Sequence, residues 1–222
     1  VLLVGILTAA PGAAPGETPE LEIPLRFRWG ATYEELQHEL VGGDLVEDQP
    51  GQLLRFREDE IEIRYLFYQQ RQIGDIVLEE RERDGRVRMV LKDLVLEPAI
   101  PPEAAPLYAV SIQPPLLSLD PVDKNPLIQK LMEIYGPIRP APRLPGGQAG
   151  AYLAFADNNT QVRVIFEQHG GGRYVTRLVF SSTELSRRRN LQERQLEQRA
   201  DRAIRRKIDA ENRLLRDRGK SG

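Results

Sequence analysis

The 222 residues contain two histidines, His38 and His169, and no cysteine. A zinc site takes three or four ligands, and neither histidine has a second His or a Cys close by in sequence. Both read as solvated surface residues, His38 on the polar side of a helix and His169 in a Gly-rich turn. Without cysteine there are no disulfides, no thiol nucleophile and no thiolate ligand. Glu58-Asp59-Glu60 with Glu62 offers hard oxygens. An EF-type calcium loop needs alternating ligands and a fixed Gly, so this run reads as a solvated turn. Gly170-Gly171-Gly172 would cradle a phosphate if it opened a helix. Strand-patterned residues follow it instead, which predicts a hairpin loop. Ser181-Ser182 has no neighbouring His to activate it. Walker, dinucleotide and hydrolase-elbow motifs do not occur. These residues predict a non-catalytic chain with no cofactor and no metal.

The basic residues near the C-terminus are the strongest remaining lead. Residues 183–222 hold 13 Lys and Arg against 7 Asp and Glu, whereas residues 1–182 hold 18 against 26. A net charge of −2 therefore hides a basic arm on an acidic body. Arg187-Arg188-Arg189 and Arg205-Arg206-Lys207 could meet phosphates on nucleic acid or on an anionic membrane surface. The favoured reading is that they flank a helix that meets a protein partner or a second copy of the chain. Seven acids interleave with the bases and no aromatic residue accompanies them.

The elements that would carry these residues follow from periodicity. Thr32 and Glu35 have capping-box spacing, and Tyr33, Leu36 and Leu40 share one face of a helix over 33–41. Gly42-Gly43 would end that helix. Leu53–Phe56 reads as a strand. Ile61, Ile63, Tyr65 and Phe67 alternate with Glu62, Arg64, Leu66 and Tyr68, as in a half-buried strand. Ile76 and Leu78 lead to Asp84-Gly85, a hairpin signal, and Val87, Met89 and Leu91 return. Residues 97–126 hold eight prolines, which lack the N–H that a ladder needs. That stretch reads as a linker with a short strand at 107–112. Asn125-Pro126 starts a second helix with an N-cap and a Pro at its first position; Leu127, Ile128, Leu131 and Ile134 form its apolar face. Tyr152–Phe155, Val162–Phe166 and Tyr174–Phe180 are three more strands.

Leu54-Arg55-Phe56 aligns with Leu153-Ala154-Phe155, and Ile63–Phe67 with Val162–Phe166. The fold class read from this is α+β: a tandem repeat of a helix packed on a three- to four-stranded antiparallel sheet, followed by a basic C-terminal helix. The boundaries are 1–22 for a leader and linker, 23–96 for the first unit and 97–124 for the Pro-rich linker. The second unit is 125–182 and the charged helical tail 183–222. Val1–Leu7 followed by small residues looks like the back half of a secretory signal peptide and is shorter than a membrane span. In the tail, Leu191, Leu196, Ala200, Ile204 and Ile208 make a stripe one residue wide. Such a helix is either solvated and frayed or docked on a partner.

Trp29-Gly30-Ala31-Thr32-Tyr33-Glu34-Glu35-Leu36 resembles the Trp-Gly-Met-Ser/Thr helix start of uncharacterised exported proteins of Gram-negative bacteria. Leu131-Met132-Glu133-Ile134-Tyr135-Gly136-Pro137 is similar to the helix end in their second half. More broadly, residues 25–182 resemble helix-then-sheet modules such as the small lipoprotein of the barrel-assembly machinery and the tandem-repeat β-lactamase inhibitor proteins. The resemblance implies an exported, periplasmic protein that binds a protein partner in the cell envelope and does no chemistry.

The expectation is thus an envelope interaction module. Its sheet surface would use Leu66, Tyr68 and Ile165, which fall out of phase with the core alternation, together with loops 42–52 and 140–150. Its tail helix would offer Arg187, Arg188, Arg189, Arg205, Arg206 and Lys207. The alternative is a cytosolic nucleic-acid- or ribosome-associated protein acting through the same basic helix.

Overall fold

The computed structural model describes residues 28–39, 44–58, 60–83, 86–115, 117–139 and 152–218. The leader, the loop 140–150, and the Gly42-Gly43 and Asp84-Gly85 turns read from the sequence lie outside them. The chain divides into two compact units, one of residues 1–68 with 102–186 and one of residues 69–101 with 187–222. These do not follow the boundaries read from the sequence.

The first unit is α+β. Helix α1 (Tyr33–Glu39) is followed by strands β1 (Asp44–Gln49), β2 (Leu53–Glu58) and β3 (Ile61–Phe67). The capping box forms: the Thr32 N–H donates to Glu35 Oε2 at 2.9 Å and the Glu35 N–H to Thr32 Oγ1 at 3.2 Å. Strands β4 (Arg71–Arg83) and β5 (Arg86–Pro98) belong to the second unit. The first unit resumes with β6 (Leu107–Gln113), β7 (Leu117–Ser118), α2 (Pro126–Tyr135), β8 (Tyr152–Ala156), β9 (Thr160–His169) and β10 (Gly172–Ser182). Helix α3 (Thr183–Arg218) follows at once, its residues from 187 onward lying in the second unit.

All neighbouring strands of the first unit pair antiparallel in one sheet ordered β1-β2-β3-β6-β10-β9-β8, with β7 alongside the start of β10. The expected tandem repeat of a helix on a three- to four-stranded sheet is corrected here, because the strands of this unit join in a single sheet. Strand β3 does not pair with β4 or β5. Its edge is taken by β6, through Ile63 opposite Ile112 and Tyr65 opposite Val110. Strand β6 in turn pairs with β10, through Ile112 opposite Leu178 and Val110 opposite Phe180. The short strand expected at 107–112 does form, but as a middle strand of the sheet rather than within a linker, and Leu107, Ala109, Val110, Ser111 and Ile112 are all buried. Pro106 and Pro114 stand just outside its ends, where no ladder N–H is required.

Among the described residues, the buried apolar side chains of this unit other than Ala109, which lies on the opposite face, form one cluster. Leu36 of α1 and Leu127, Ile128 and Leu131 of α2 pack over Leu54, Ile63, Val110, Ile112, Val162, Leu178 and Phe180. Tyr33 meets Phe67 edge-on at 5.2 Å, and Tyr135 meets Phe180 at 6.3 Å. Asn125 caps α2 as its sequence implies. Its Oδ1 accepts from the N–H groups of Leu127 (3.1 Å) and Ile128 (3.4 Å), while Nδ2 donates to the Ser118 carbonyl (2.9 Å). Because Asn125 is itself buried, Asn125→Ala is expected to cost about 1–2 kcal/mol, read as a lower denaturant midpoint with unchanged slope.

The Tyr135 hydroxyl is buried with no hydrogen-bond partner among the described residues. Burial, with the nearby Asp157 charge, pushes its pKa up to about 12. A free tyrosine ionises near pH 10, so the unfolded chain gains the charged form first. This contribution to stability is intact below pH 10 and is lost as the pH rises toward 12. Tyr135→Phe is expected to be neutral or slightly stabilising at pH 7, since it removes an unsatisfied polar atom. It should also flatten the alkaline loss seen in urea midpoints between pH 9 and 11.5.

The second unit is a long hairpin with a helix. Strands β4 and β5 pair along their length, from Arg71 opposite Pro98 to Arg83 opposite Arg86, with irregularities at Ile73/Ile76 and Val77/Leu78. A lone hairpin of this kind is marginal in water without further packing. The helix supplies ties: Lys207 Nζ donates to the Ile76 carbonyl, and Asn212 Oδ1 accepts the Met89 N–H at 2.9 Å. Among the described residues, Ile76 and Ala200 are the buried apolar ones here. Of the narrow stripe on the tail helix, Ala200 is buried and Leu191 is exposed.

Candidate functional site

The face of the sheet away from the core is set by strand alternation. Leu54, Phe56, Ile63 and Tyr65 point into the core, so Arg55, Arg57, Glu62, Arg64 and Leu66 point outward. On the other flank Val162, Val164, Leu178 and Phe180 point in, and Arg163, Ile165, Val179 and Ser181 point out. A bulge between Val175 and Arg177 places Arg177 opposite Ile165. Arg177 therefore joins the outward face although Val175, two residues earlier, is buried in the core.

The two flanks of this face differ in charge pairing. On β1–β3, Glu62 gathers Arg64 (2.6 Å), Arg55 (3.8 Å) and Arg57 (3.9 Å), and Arg55 also meets Glu47 at 3.3 Å. The Glu62 side chain is only 14% exposed, so several guanidinium groups compensate one partly desolvated carboxylate. On β8–β10, Arg163 lies over the Tyr152 ring, 5.9 Å from its centre, a cation–π contact. Arg163 and Arg177 have no carboxylate partner among the described residues. Tyr152 and Ile165 face each other across β8 and β9, and Val179 and Arg163 across β10 and β9. Tyr152, Arg163, Ile165, Arg177 and Val179 are thus neighbours on one patch. Glu167, farther along β9, is the acid nearest to it along the strand.

The sequence-predicted residues are only partly brought together. Leu66 is half-buried on the outward face, opposite Leu53 and Ala109. Ile165 shares that face, but on β9, with β6 and β10 between them. Tyr68 lies just past β3 and meets Tyr108 edge-on at 6.5 Å. Of the three, Ile165 belongs to the patch. Loop 42–52 contains β1, whose Leu45 and Val46 are exposed.

The six basic residues singled out in the tail, Arg187–Arg189 and Arg205–Lys207, lie on α3. Arg187, Arg188, Arg205 and Arg206 are exposed, and Arg189 Nε donates to Glu193 Oε1 at 2.9 Å. Lys207 is engaged with Ile76. Three successive arginines on a helix point around most of its circumference, so they do not form a single stripe. The second unit also holds a cavity of about 740 Å³ lined by Glu80, Val87, Arg88, Asn212, Leu215 and Arg216.

His38 is exposed at the end of α1. Gly170 and Gly171 take φ of +57° and +86° in the tight β9–β10 turn. Among the described residues no His, Cys, Asp and Glu side chains gather in a group able to hold a metal ion, and no helix is long and apolar enough to cross a membrane. No protein-family model, curated protein or solved structure matches the chain.

Proposed function

We propose that the chain is a non-catalytic protein-interaction module of the bacterial cell envelope, exported to the periplasm. The observation that carries this reading is the hairpin. Val77, Val87, Leu91, Val95 and Leu96 of β4 and β5 are each more than a third exposed. Aliphatic side chains concentrated in this way mark surfaces that meet another macromolecule. The apolar leader and the resemblance to exported helix-then-sheet proteins support the compartment. The like patterning of β2–β3 and β8–β9 extends to their registers, Leu54 opposite Tyr65 and Leu153 opposite Val164. We read the two flanks as variants of one helix-and-strands plan joined edge to edge through β6 and β10.

The test is photo-crosslinking in the native envelope, with the reactive residue placed at Leu91 or Val95 and, as a control, at the exposed Lys130. A discrete adduct from the hairpin positions alone is expected. Adducts absent from all positions, together with full recovery of the protein in the cytosol, would remove the reading. The exposed Arg187, Arg205 and Arg206 favour the second reading, nucleic-acid binding. That reading requires retention of duplex DNA or RNA that falls steeply with salt, and a gel shift at 50 and 200 mM salt decides between the two.

A further inference from the structure

We propose that the outward patch on β8, β9 and β10, formed by Tyr152, Arg163, Ile165, Arg177 and Val179, docks an acidic protein surface that also presents an aliphatic side chain. The inference rests on the protein-interaction reading and adds to it a second surface and a partner chemistry.

Residues 1–182 carry an excess of acids, yet this face gathers Arg55, Arg57, Arg64, Arg163 and Arg177. On the β1–β3 flank Glu62 and Glu47 answer the arginines. On the β8–β10 flank Arg163 and Arg177 have no carboxylate partner among the described residues. A guanidinium presents a planar fork of donors that matches a carboxylate bidentately. The Arg163 guanidinium lies over the Tyr152 ring, 5.9 Å from its centre, and this contact lowers the entropy cost of binding through it. Ile165 and Val179 remain half-buried between the two arginines and offer apolar contact at the same spot. Arginine and tyrosine around a small aliphatic centre are the side chains enriched where proteins meet.

Charge and shape favour protein over the other anionic partners. A phosphate backbone would approach Glu62, Glu47 and Glu167 on the same face and would leave Ile165 and Val179 uncovered. A membrane surface would do the same. An acidic protein segment can place carboxylates at Arg163 and Arg177 and an aliphatic side chain between them, and such charge complementarity selects partners as well as speeding encounter.

The experiment pans a phage-displayed library of random twelve-residue peptides on the immobilised full chain. Enrichment of peptides combining Asp or Glu with Leu, Ile or Val is expected. Their affinity should fall about tenfold or more in Arg163→Glu/Arg177→Glu, and by a smaller factor in Arg163→Gln/Arg177→Gln. It should be unchanged in Arg205→Glu/Arg206→Glu. Circular dichroism melts verify that each variant is folded, and the Gln pair serves if the Glu pair is not. No enrichment, enrichment of neutral or basic peptides, or equal binding by the Arg163/Arg177 variants would overturn the assignment. So would binding of phosphatidylglycerol vesicles or duplex RNA lost in the same variants without acidic-peptide binding. Hairpin crosslinks that persist in a chain failing this test would leave the interaction reading standing and remove only this surface.

Discussion

Phe180→Ala is expected to lower the stability of the first unit by about 3–5 kcal/mol. Phe180 sits on β10, 1% exposed, packed on Tyr135 of α2 and paired with Val110 of β6. Its ring thus stands at the seam between the two flanks. Removing it takes away buried apolar area and leaves a cavity that the strands on either side cannot close without shifting. Small domains are often only 5–15 kcal/mol stable, so the loss would consume a large share. The informative detail is its reach. Trp29, the only tryptophan, donates from Nε1 to Thr160 Oγ1 at 3.1 Å and reports on the unit by fluorescence. Fluorescence and far-UV circular dichroism should move to the same lower midpoint. Separate shifts in the two signals would mean that the flanks do not share a core.

Replacing residues 69–101 by Gly-Gly is expected to leave the first unit folded while loosening the later turns of α3. The ends of the excised segment are already held beside each other, for the Ala99 N–H donates to the Gln70 carbonyl at 2.8 Å. Closing so short a gap adds little loop entropy. Strand β3 keeps its pairing with β6, and none of the first unit's clustered core residues lies in the removed stretch. Helix α3, by contrast, loses the Ile76 carbonyl and Met89 N–H that Lys207 and Asn212 engage. Its residues 187–218 should then exchange amide hydrogens faster than in the intact chain. An excised chain that fails to fold would show that the hairpin is required by the sheet.

What could be read in the sequence was local, and what could not was the pairing of distant segments. The starts of α1 and α2 were legible because Thr32 with Glu35, and Asn125 with Pro126, satisfy helix-end N–H groups through residues a few positions apart. The alternation over 61–67 and 162–166 gave β3 and β9 because a half-buried strand repeats every second residue. Strand β6 was read as a short strand inside a linker, and its central place in the sheet was missed because prolines crowd around it, although Pro106 and Pro114 only bracket it. The union of flanks through β6 and β10 follows from edge complementarity between segments far apart in sequence, which no short window records. Likewise Lys207 meets Ile76 across 131 residues. In the patch, Ile165 was found from its phase. Arg163 carried the same signal, a charge within an apolar strand. Arg177 did not, since counting by twos from Val175 puts it in the core, and only the bulge turns it outward.

Hydrogen exchange on the intact chain, read by mass spectrometry, tests most directly whether one core serves the whole sheet. Peptides covering β3, β6, β9 and β10 should open with a single free energy, above that of β4, β5 and the later turns of α3, where few apolar residues are buried. If β2 and β3 exchanged freely while β8, β9 and β10 stayed protected, the sheet would be two separately stable halves, and the shared core would be contradicted.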